Sequence, residues 1–209
     1  MNIVETQEII SRHDVIAELG VLVILPPMLI IPLWLGSSWT LGRLTEGSTF
    51  DLLVIWTSLV GALVILPLLY LKHSASLTSW RNLGVCGPSH RSLFVLVGLF
   101  VATVTVTLML HGPRLGGLIM AQYVAVSVCE EFWSKAVVFR TLSRVIRSRA
   151  VVLTLTAAIF AFYLHLSESF LTNLVIRFPL GLLTAIVFSR SRSLAWPILI
   201  HWTYDVIIS

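Results

Sequence analysis

Seven long apolar runs restrict what this chain can fold into more than any other feature of its sequence. They cover residues 17–35, 52–71, 92–110, 117–136, 150–167, 171–188 and 193–208. Each run has about 16–20 residues, the length a helix needs to cross a bilayer core. Backbone groups in lipid must be satisfied internally, and the runs are too long and too uniformly apolar for barrel strands. The sequence therefore predicts an all-α, polytopic membrane helix bundle of about seven transmembrane helices.

The overall composition agrees with this fold class. The chain is 57% hydrophobic and only 11% charged, whereas soluble domains average about 25% charged residues. We find no internal repeat and no low-complexity tract, so residues 1–209 are predicted to form a single membrane domain.

The distribution of basic residues predicts how the bundle is oriented. Cytoplasmic loops of membrane proteins carry an excess of lysine and arginine. With the N-terminus inside, the outer loops contain only Arg43 and Arg114. The inner loops then contain Lys72, Arg81, Arg91, Arg140, Arg144, Arg147, Arg149, Arg190 and Arg192. We therefore expect a multi-pass protein with a cytoplasmic N-terminus. The net charge of +4 reflects this orientation in the lipid bilayer and gives no reason to expect a nucleic-acid partner.

Two adjacent carboxylates, Glu130 and Glu131, follow the apolar run of residues 117–129. An acidic residue at the centre of a membrane helix costs about 2.5 kcal/mol or more, so such residues usually mark function. Glu131 and Lys135 are four residues apart and can form an ion pair on one helix face. Glu130 then points about 100° away and is a candidate general base. The alternative is an interfacial pair that anchors the helix end.

Two later runs contain imidazoles at membrane depth. His201 and Asp205 lie four residues apart on one face of the last run, where an aspartate can fix the tautomer of a histidine. His165 lies in the fifth run, about 10 Å above Glu130 and His201 if every helix rises 1.5 Å per residue. Helix tilt or a shifted start of the fifth run would close this gap. By the same arithmetic Arg177 and Asp205 are at similar depth and are expected to be close. Each feature has a structural alternative. His165 would be a lone interhelical hydrogen-bond partner, His201 and Asp205 would be a self-satisfied polar pair, and Arg177 would extend to the membrane surface.

These residues form an ordered set of three motifs, namely Glu130-Glu131-Phe-Trp-Ser-Lys135, Phe160 to His165, and His201-Trp-Thr-Tyr-Asp205. Residues 80–209, which contain them, resemble the CAAX prenyl protease and bacteriocin-processing family of intramembrane endopeptidases, also called the Abi family. That family carries a double glutamate with a following arginine, then phenylalanine–three residues–histidine, then histidine–three residues–asparagine or aspartate. Here Lys135 replaces the arginine, and Phe160 precedes His165 by five positions instead of four.

The resemblance implies an intramembrane endopeptidase that acts on a peptide or a prenylated protein. It implies Glu130 as the base that activates water, Glu131 as a paired, orienting carboxylate, and His165 as the partner of Glu130. His201 and Asp205 would steady the tetrahedral intermediate. The two departures leave open a catalytically degenerate relative that acts as a membrane scaffold, an immunity protein or a subunit of a complex. A proton-coupled transporter is a third possibility, but no paired halves with broken helices are visible.

A metal-dependent mechanism is the minority alternative. Two histidines and a glutamate are ligand types that zinc accepts. The compact His-Glu-x-x-His spacing is absent, and the ligands would come from three separate spans. We therefore predict a site without a metal or other cofactor.

Overall fold

The computed structural model describes residues 17–41, 48–74, 79–87 and 89–208, and every regular element in these ranges is helical. The predicted all-α class is thus confirmed. Residues 1–16, whose cytoplasmic placement the sequence predicts, lie outside the described residues. The described chain forms helices that we number α1 to α7.

The first two helices precede a long helical run that is interrupted near the middle of the chain. Helix α1 consists of Gly20–Ile24 and Leu25–Leu41, and α2 consists of Ser48–Leu59, Val60–Ile65 and Leu66–His73. A short 3₁₀ turn, Trp80–Leu83, precedes the helical run His90–Glu131. Gly112 interrupts this run with a φ of 74°, a left-handed conformation that glycine adopts without steric cost. It separates α3 (90–111) from α4 (113–145).

The second half of the chain carries the remaining helices. Helix α4 continues beyond Glu131 through Phe132–Phe139 and Arg140–Val145. The later helices are α5 (Arg149–Ala158 and Ile159–Leu164), α6 (Phe170–Thr172, Asn173–Arg177 and Phe178–Ser191) and α7 (Ala195–Ile208).

Four segments of the described chain are long and apolar enough to cross a membrane. They are Ala17–Trp39, Asp51–His73, Ser92–Val145 and Phe170–Ser191. Arg149–Leu164 is apolar but shorter, and α7 has 14 residues. The architecture is therefore that of a membrane helix bundle, while the number of about seven spans stays a prediction.

Five segments of the described helices are π-helical, with hydrogen bonds from residue i to residue i+5. They are Gly20–Ile24, Val60–Ile65, Phe132–Phe139, Ile159–Leu164 and Asn173–Arg177. Such wide turns are rare and are frequent at functional sites. The last three of these segments adjoin charged or titratable residues of the later helices. Phe132–Phe139 begins directly after Glu131, Ile159–Leu164 ends just before His165, and Asn173–Arg177 ends at Arg177.

The π-helical turn in α1 attaches this helix to the rest of the bundle. The indole of Trp133 donates a hydrogen bond to the carbonyl of Leu22 (2.9 Å), and the hydroxyl of Tyr163 donates to the carbonyl of Ile24 (2.5 Å). Trp133 is fully buried. Because these donors lie on α4 and α5, α1 packs against both of these helices.

Helix α7 is fixed against α3 and α4 by Trp202. Its indole donates to the carbonyl of Met120 (3.1 Å), and its ring stacks on Phe100 with centroids 5.2 Å apart. The neighbouring residue, His201, is fully buried. The packing of Trp202 therefore positions α7 so that His201 lies inside the bundle.

Candidate active site

The buried pair of Glu131 and Lys135 forms the base of the site. Lys135 Nζ lies 3.2 Å from Glu131 Oε2, and neither side chain is exposed. The ammonium also donates to the hydroxyl of Ser134 (3.0 Å) and lies 4.8 Å from the ring centroid of Phe160. The predicted ion pair is therefore present, and two further contacts support the lysine in the position where the resembled family has arginine.

Glu130 brings three helices together. Its Oε2 atom lies 3.5 Å from His165 Nε2 on α5 and 4.0 Å from His201 Nε2 on α7. The residue is only 7% exposed. One nearly buried carboxylate oxygen thus faces two imidazoles that are distant in sequence.

The main chain around His165 sets the orientation of its ring. His165 Nδ1 lies 2.9 Å from the carbonyl oxygen of Phe160. A carbonyl only accepts, so Nδ1 is the protonated donor and Nε2 is the atom presented to Glu130. The amide of Asn173 on α6 donates to the carbonyl of His165 (2.9 Å) and fixes the end of α5.

The π-helical turn explains the irregular spacing of the second motif. Because Ile159–Leu164 is π-helical, residues five apart share a face, as residues four apart do in an α-helix. The rings of Phe160 and His165 meet edge to face, with centroids 5.0 Å apart. The extra residue between them is therefore accommodated inside the helix.

The 10 Å offset that uniform helical rise gives for His165 is closed in the structure, where its ring reaches Glu130 at 3.5 Å. The sequence placed the end of the fourth span at residue 136, but α4 continues to Val145 and α5 begins at Arg149. Glu130 therefore lies about as many residues before Val145, where α4 ends, as His165 lies after Arg149, where α5 begins. The two side chains therefore reach the same depth.

His201 lies between two carboxylates. Its Nδ1 is 3.1 Å from Glu131 Oε1, and its Nε2 is 3.2 Å from Asp205 Oδ2. Glu131 thus contacts both Lys135 on its own helix and His201 on α7. The structure brings all five predicted site residues, Glu130, Glu131, His165, His201 and Asp205, into one continuous cluster.

Arg177 extends this cluster towards the turn between α5 and α6. Its guanidinium lies 3.5 Å from Asp205 Oδ1 and 3.9 Å from Glu168 Oε1. The expectation that Arg177 and Asp205 are close is confirmed. Glu168 is 42% exposed, so a row of charged groups leads from the accessible turn to the buried glutamates.

A comparison with known protein families gives a match to the segment that contains this cluster. Residues 112–207 match the family model of Rce1-like type II CAAX prenyl endopeptidases. This segment is CAAX-endopeptidase-like. The match confirms the resemblance recognised from the motifs and contains all five site residues. No curated protein and no solved structure gives a significant match to the chain.

The apolar helices and the match to a membrane protease family together make this an integral membrane protein. The matched segment begins at Gly112, the residue that separates α3 from α4. It thus contains all the helices that contribute to the charged cluster.

Several buried polar atoms of the candidate site have no aligned hydrogen-bond partner within the described part of the chain. They include Glu130 Oε2, His201 Nε2 and Asp205 Oδ2. These atoms lie at ion-pair distances, but their directions do not give hydrogen bonds. Buried polar groups are normally hydrogen-bonded, so this surface is suited to a small polar ligand such as water or a carbonyl group.

Two supporting residues were not among the predicted site residues. Asn173, which is 3% exposed, holds the end of α5, and Ser134 accepts a hydrogen bond from Lys135. An asparagine within the apolar run 171–188 was a usable signal for the first. A serine in a membrane helix is too common to signal the second.

The metal alternative has no preformed geometry in the described residues. No group of three His, Cys, Asp or Glu side chains among residues 17–41, 48–74, 79–87 and 89–208 is arranged to hold a metal ion. The donor types in the cluster nevertheless remain ones that zinc accepts. The expected absence of a cofactor therefore stays a prediction.

Proposed function

We propose that this protein is an intramembrane endopeptidase that hydrolyses a peptide bond of a membrane-associated substrate, with prenylated CAAX proteins as the substrate class. The family match supports the class of reaction. The observation that carries the proposal is the position of Glu130, whose Oε2 atom lies within 4.0 Å of imidazoles from two other helices.

In the proposed reaction, Glu130 is the general base. A water molecule held by Glu130 and His165 gives a proton to Glu130 while its oxygen attacks the carbonyl carbon of the scissile bond. A general base must lie within hydrogen-bond reach of the proton that it removes, and a water between these two side chains meets this condition. When the intermediate collapses, the carbon–nitrogen bond breaks and Glu130 returns the proton to the leaving amine.

His201 is the proposed donor to the oxyanion. Its Nε2–H faces the same region as Glu130 Oε2, and a preorganised donor of this kind stabilises developing negative charge. An ionised aspartate cannot donate a hydrogen bond, so Asp205 acts by orienting the ring of His201. Arg177 beside Asp205 offsets the negative charge of this carboxylate.

Glu131 is the proposed orienting carboxylate. It holds Nδ1 of His201 on one side and the ammonium of Lys135 on the other. Since the lysine keeps the ion pair, the replacement of the family arginine does not remove the positive charge from the site. This favours an active enzyme over a degenerate scaffold.

The proposal is tested by offering the purified protein, in lipid vesicles, a farnesylated peptide with a C-terminal CAAX sequence. Mass spectrometry of the released tripeptide measures cleavage. We expect cleavage of this peptide, slower cleavage of the same peptide without the farnesyl group, and a loss of about 10²–10⁴-fold in Glu130→Gln. Asp51→Asn, which changes an exposed carboxylate on α2, serves as the control and should retain activity.

Two results would overturn the proposal. The first is a folded wild-type protein that cleaves neither peptide, and the second is equal cleavage by the wild type and Glu130→Gln. A chelator provides a separate measurement of the metal alternative. Activity that is lost with the chelator and restored by zinc would replace the metal-free mechanism.

A further inference from the structure

A cavity lies near the junction of α4 and α5, apart from the candidate active site. It has a volume of about 510 Å³ and lies among the end of α4, the start of α5, the end of α6 and the 3₁₀ turn. A cavity of this size accommodates a small organic ligand. Neither the carboxylates nor the histidines of the candidate active site line it.

The charge of this cavity is its main property. Six arginines and no carboxylate occur among the described residues that line it. The arginines are Arg81, Arg140, Arg144, Arg147, Arg149 and Arg192. Like charges at close range repel one another, so a bound anion would lower the repulsion among these guanidinium groups. We refer to it as the arginine cavity.

Neighbouring groups hold some of these guanidinium groups in place. Arg149 Nη2 donates to the hydroxyl of Ser189 (2.8 Å) and to its carbonyl oxygen (3.1 Å). Arg144 forms an ion pair with Glu18, which lies just before α1. Restrained guanidinium groups lose less rotamer entropy when they bind a ligand.

The backbone conformation at Arg192 is unusual for an arginine. This residue ends α6 with a φ of 56°, a left-handed conformation that is costly for a residue with a Cβ atom and is usually occupied by glycine. The chain nevertheless has an arginine here, and its side chain lines the cavity.

The floor of the arginine cavity is apolar. Phe139 and Phe188 meet edge to face there, with centroids 5.8 Å apart, and Val152 lies beside them. The cavity therefore combines a cationic rim with a carbon-lined base. This combination suits a ligand with an anionic group attached to an uncharged carbon skeleton.

We propose that the arginine cavity binds a phosphate-bearing anion. A guanidinium group matches the geometry of phosphate oxygens with two parallel hydrogen bonds. Basic cavities between helices at the membrane surface bind the head groups of anionic lipids. The same chemistry recognises free phosphate, so the ligand is either a phospholipid head group from the adjacent leaflet or a soluble phosphate.

The test compares two double variants of the full chain that lose the same charge. Arg81→Gln with Arg147→Gln removes two lining guanidinium groups that are exposed in the structure. Arg114→Gln with Arg190→Gln removes two arginines that do not line the cavity. The thermal unfolding midpoint of each purified protein is measured in detergent against increasing dioctanoyl phosphatidylglycerol, inorganic phosphate or dioctanoylglycerol.

We expect phosphatidylglycerol to raise the midpoint of the wild type and the control variant, because a ligand that binds the folded state stabilises it. Binding by the cavity variant should be weaker by about tenfold or more, since contacts to charged groups are lost. Saturation by phosphatidylglycerol alone identifies a lipid head group, and saturation by inorganic phosphate at similar concentration identifies a soluble anion.

Equal titrations of the cavity and control variants would overturn the proposal. So would an equal effect of dioctanoylglycerol, which lacks the phosphate. If the cavity variant does not fold, Arg81→Lys with Arg147→Lys keeps the charge and removes the planar fork, and this variant must also bind more weakly than the control. The measurement needs no peptide cleavage, so its outcome is independent of the proposed enzymatic activity.

Discussion

Lys135 is a fully buried cation whose charge partner is the equally buried Glu131. Removal of one partner of such a pair leaves an uncompensated charge in the interior. We expect Lys135→Met to lower the free energy of unfolding by about 3–5 kcal/mol. Thermal or denaturant unfolding of the purified protein measures this loss.

The matched variant is the double substitution Lys135→Met with Glu131→Leu. It removes both charges, so most of the lost stability should return. Cleavage should not return, since Glu131 also holds His201 at 3.1 Å. If Lys135→Met proved as stable as the wild type, the ion pair would have no structural role.

At the residue scale, the sequence predicted which side chains form the site better than it predicted their partners. The spacing of Glu131 and Lys135 was sufficient because both lie in one helix. The contact of Glu131 with His201 depends on the rotation of α7 relative to α4. No pattern within either run contains that rotation, which the hydrogen bond from Trp202 on α7 to the carbonyl of Met120 on α4 helps to set.

At the scale of the helix, the π-helical turn Ile159–Leu164 places one additional residue between Phe160 and His165. Deletion of Ala161 should convert it to an α-helical turn and leave Phe160 four positions before His165, on the same face. We therefore expect this variant to fold and to retain at least about a tenth of the cleavage rate, within the tenfold that about 1.4 kcal/mol represents.

A deletion elsewhere in α5 provides the control. Leu155 lies in the regular α-helical part of α5 and is 38% exposed. Its removal should rotate both Phe160 and His165 by about 100° and abolish cleavage. Equal inactivation by the two deletions would show that the π-helical turn itself is required.

Gly181 provides a second test at this scale because it allows α6 to approach α5. A Cβ atom at this position would lie 2.8 Å from Cδ1 of Phe160. The displaced ring is in contact distance of His165 and His201, with centroid separations of 5.0 and 5.4 Å. We expect Gly181→Ala to lower stability by about 1–3 kcal/mol and to reduce cleavage.

The same substitution at Gly98 is the control. No heavy atom lies within 4 Å of a Cβ atom built there, and alanine is the better helix former by about 1 kcal/mol. Gly98→Ala should therefore be neutral or stabilising. If both variants behaved alike, the close approach at Gly181 would have no energetic importance.

The π-helical turns could not be predicted from the sequence. Hydrophobic runs predicted a helix in each place, and each is helical. Wide turns arise where tertiary contacts favour them over regular α-helix, as in α1, where Trp133 and Tyr163 bind the carbonyls of Leu22 and Ile24. Such contacts join helices far apart in the chain.

For the whole molecule, the distribution of arginines predicts that the arginine cavity faces the cytoplasm. Single cysteines at Arg114 and Arg190, in a background without Cys86 and Cys129, test this orientation. A membrane-impermeant maleimide added to intact cells should label Arg114→Cys and not Arg190→Cys. The reverse pattern would invert the bundle, and labelling after lysis shows that both sites are accessible.

The membrane class of the molecule followed from its apolar runs, because their length leaves helices as the suitable structure. The arginine cavity did not follow, since its lining comes from the ends of three helices and a turn. The sequence explained those arginines as orientation signals, and only their convergence in space suggests a binding site.

We propose that carboxylate and imidazole groups from α4, α5 and α7 form one hydrolytic centre. Its most direct test is the cleavage rate of the farnesylated CAAX peptide by Glu130→Ala, His165→Ala and His201→Ala, each compared with the wild type after folding is verified. We expect every single substitution to abolish cleavage. Turnover retained by all three folded variants would contradict it.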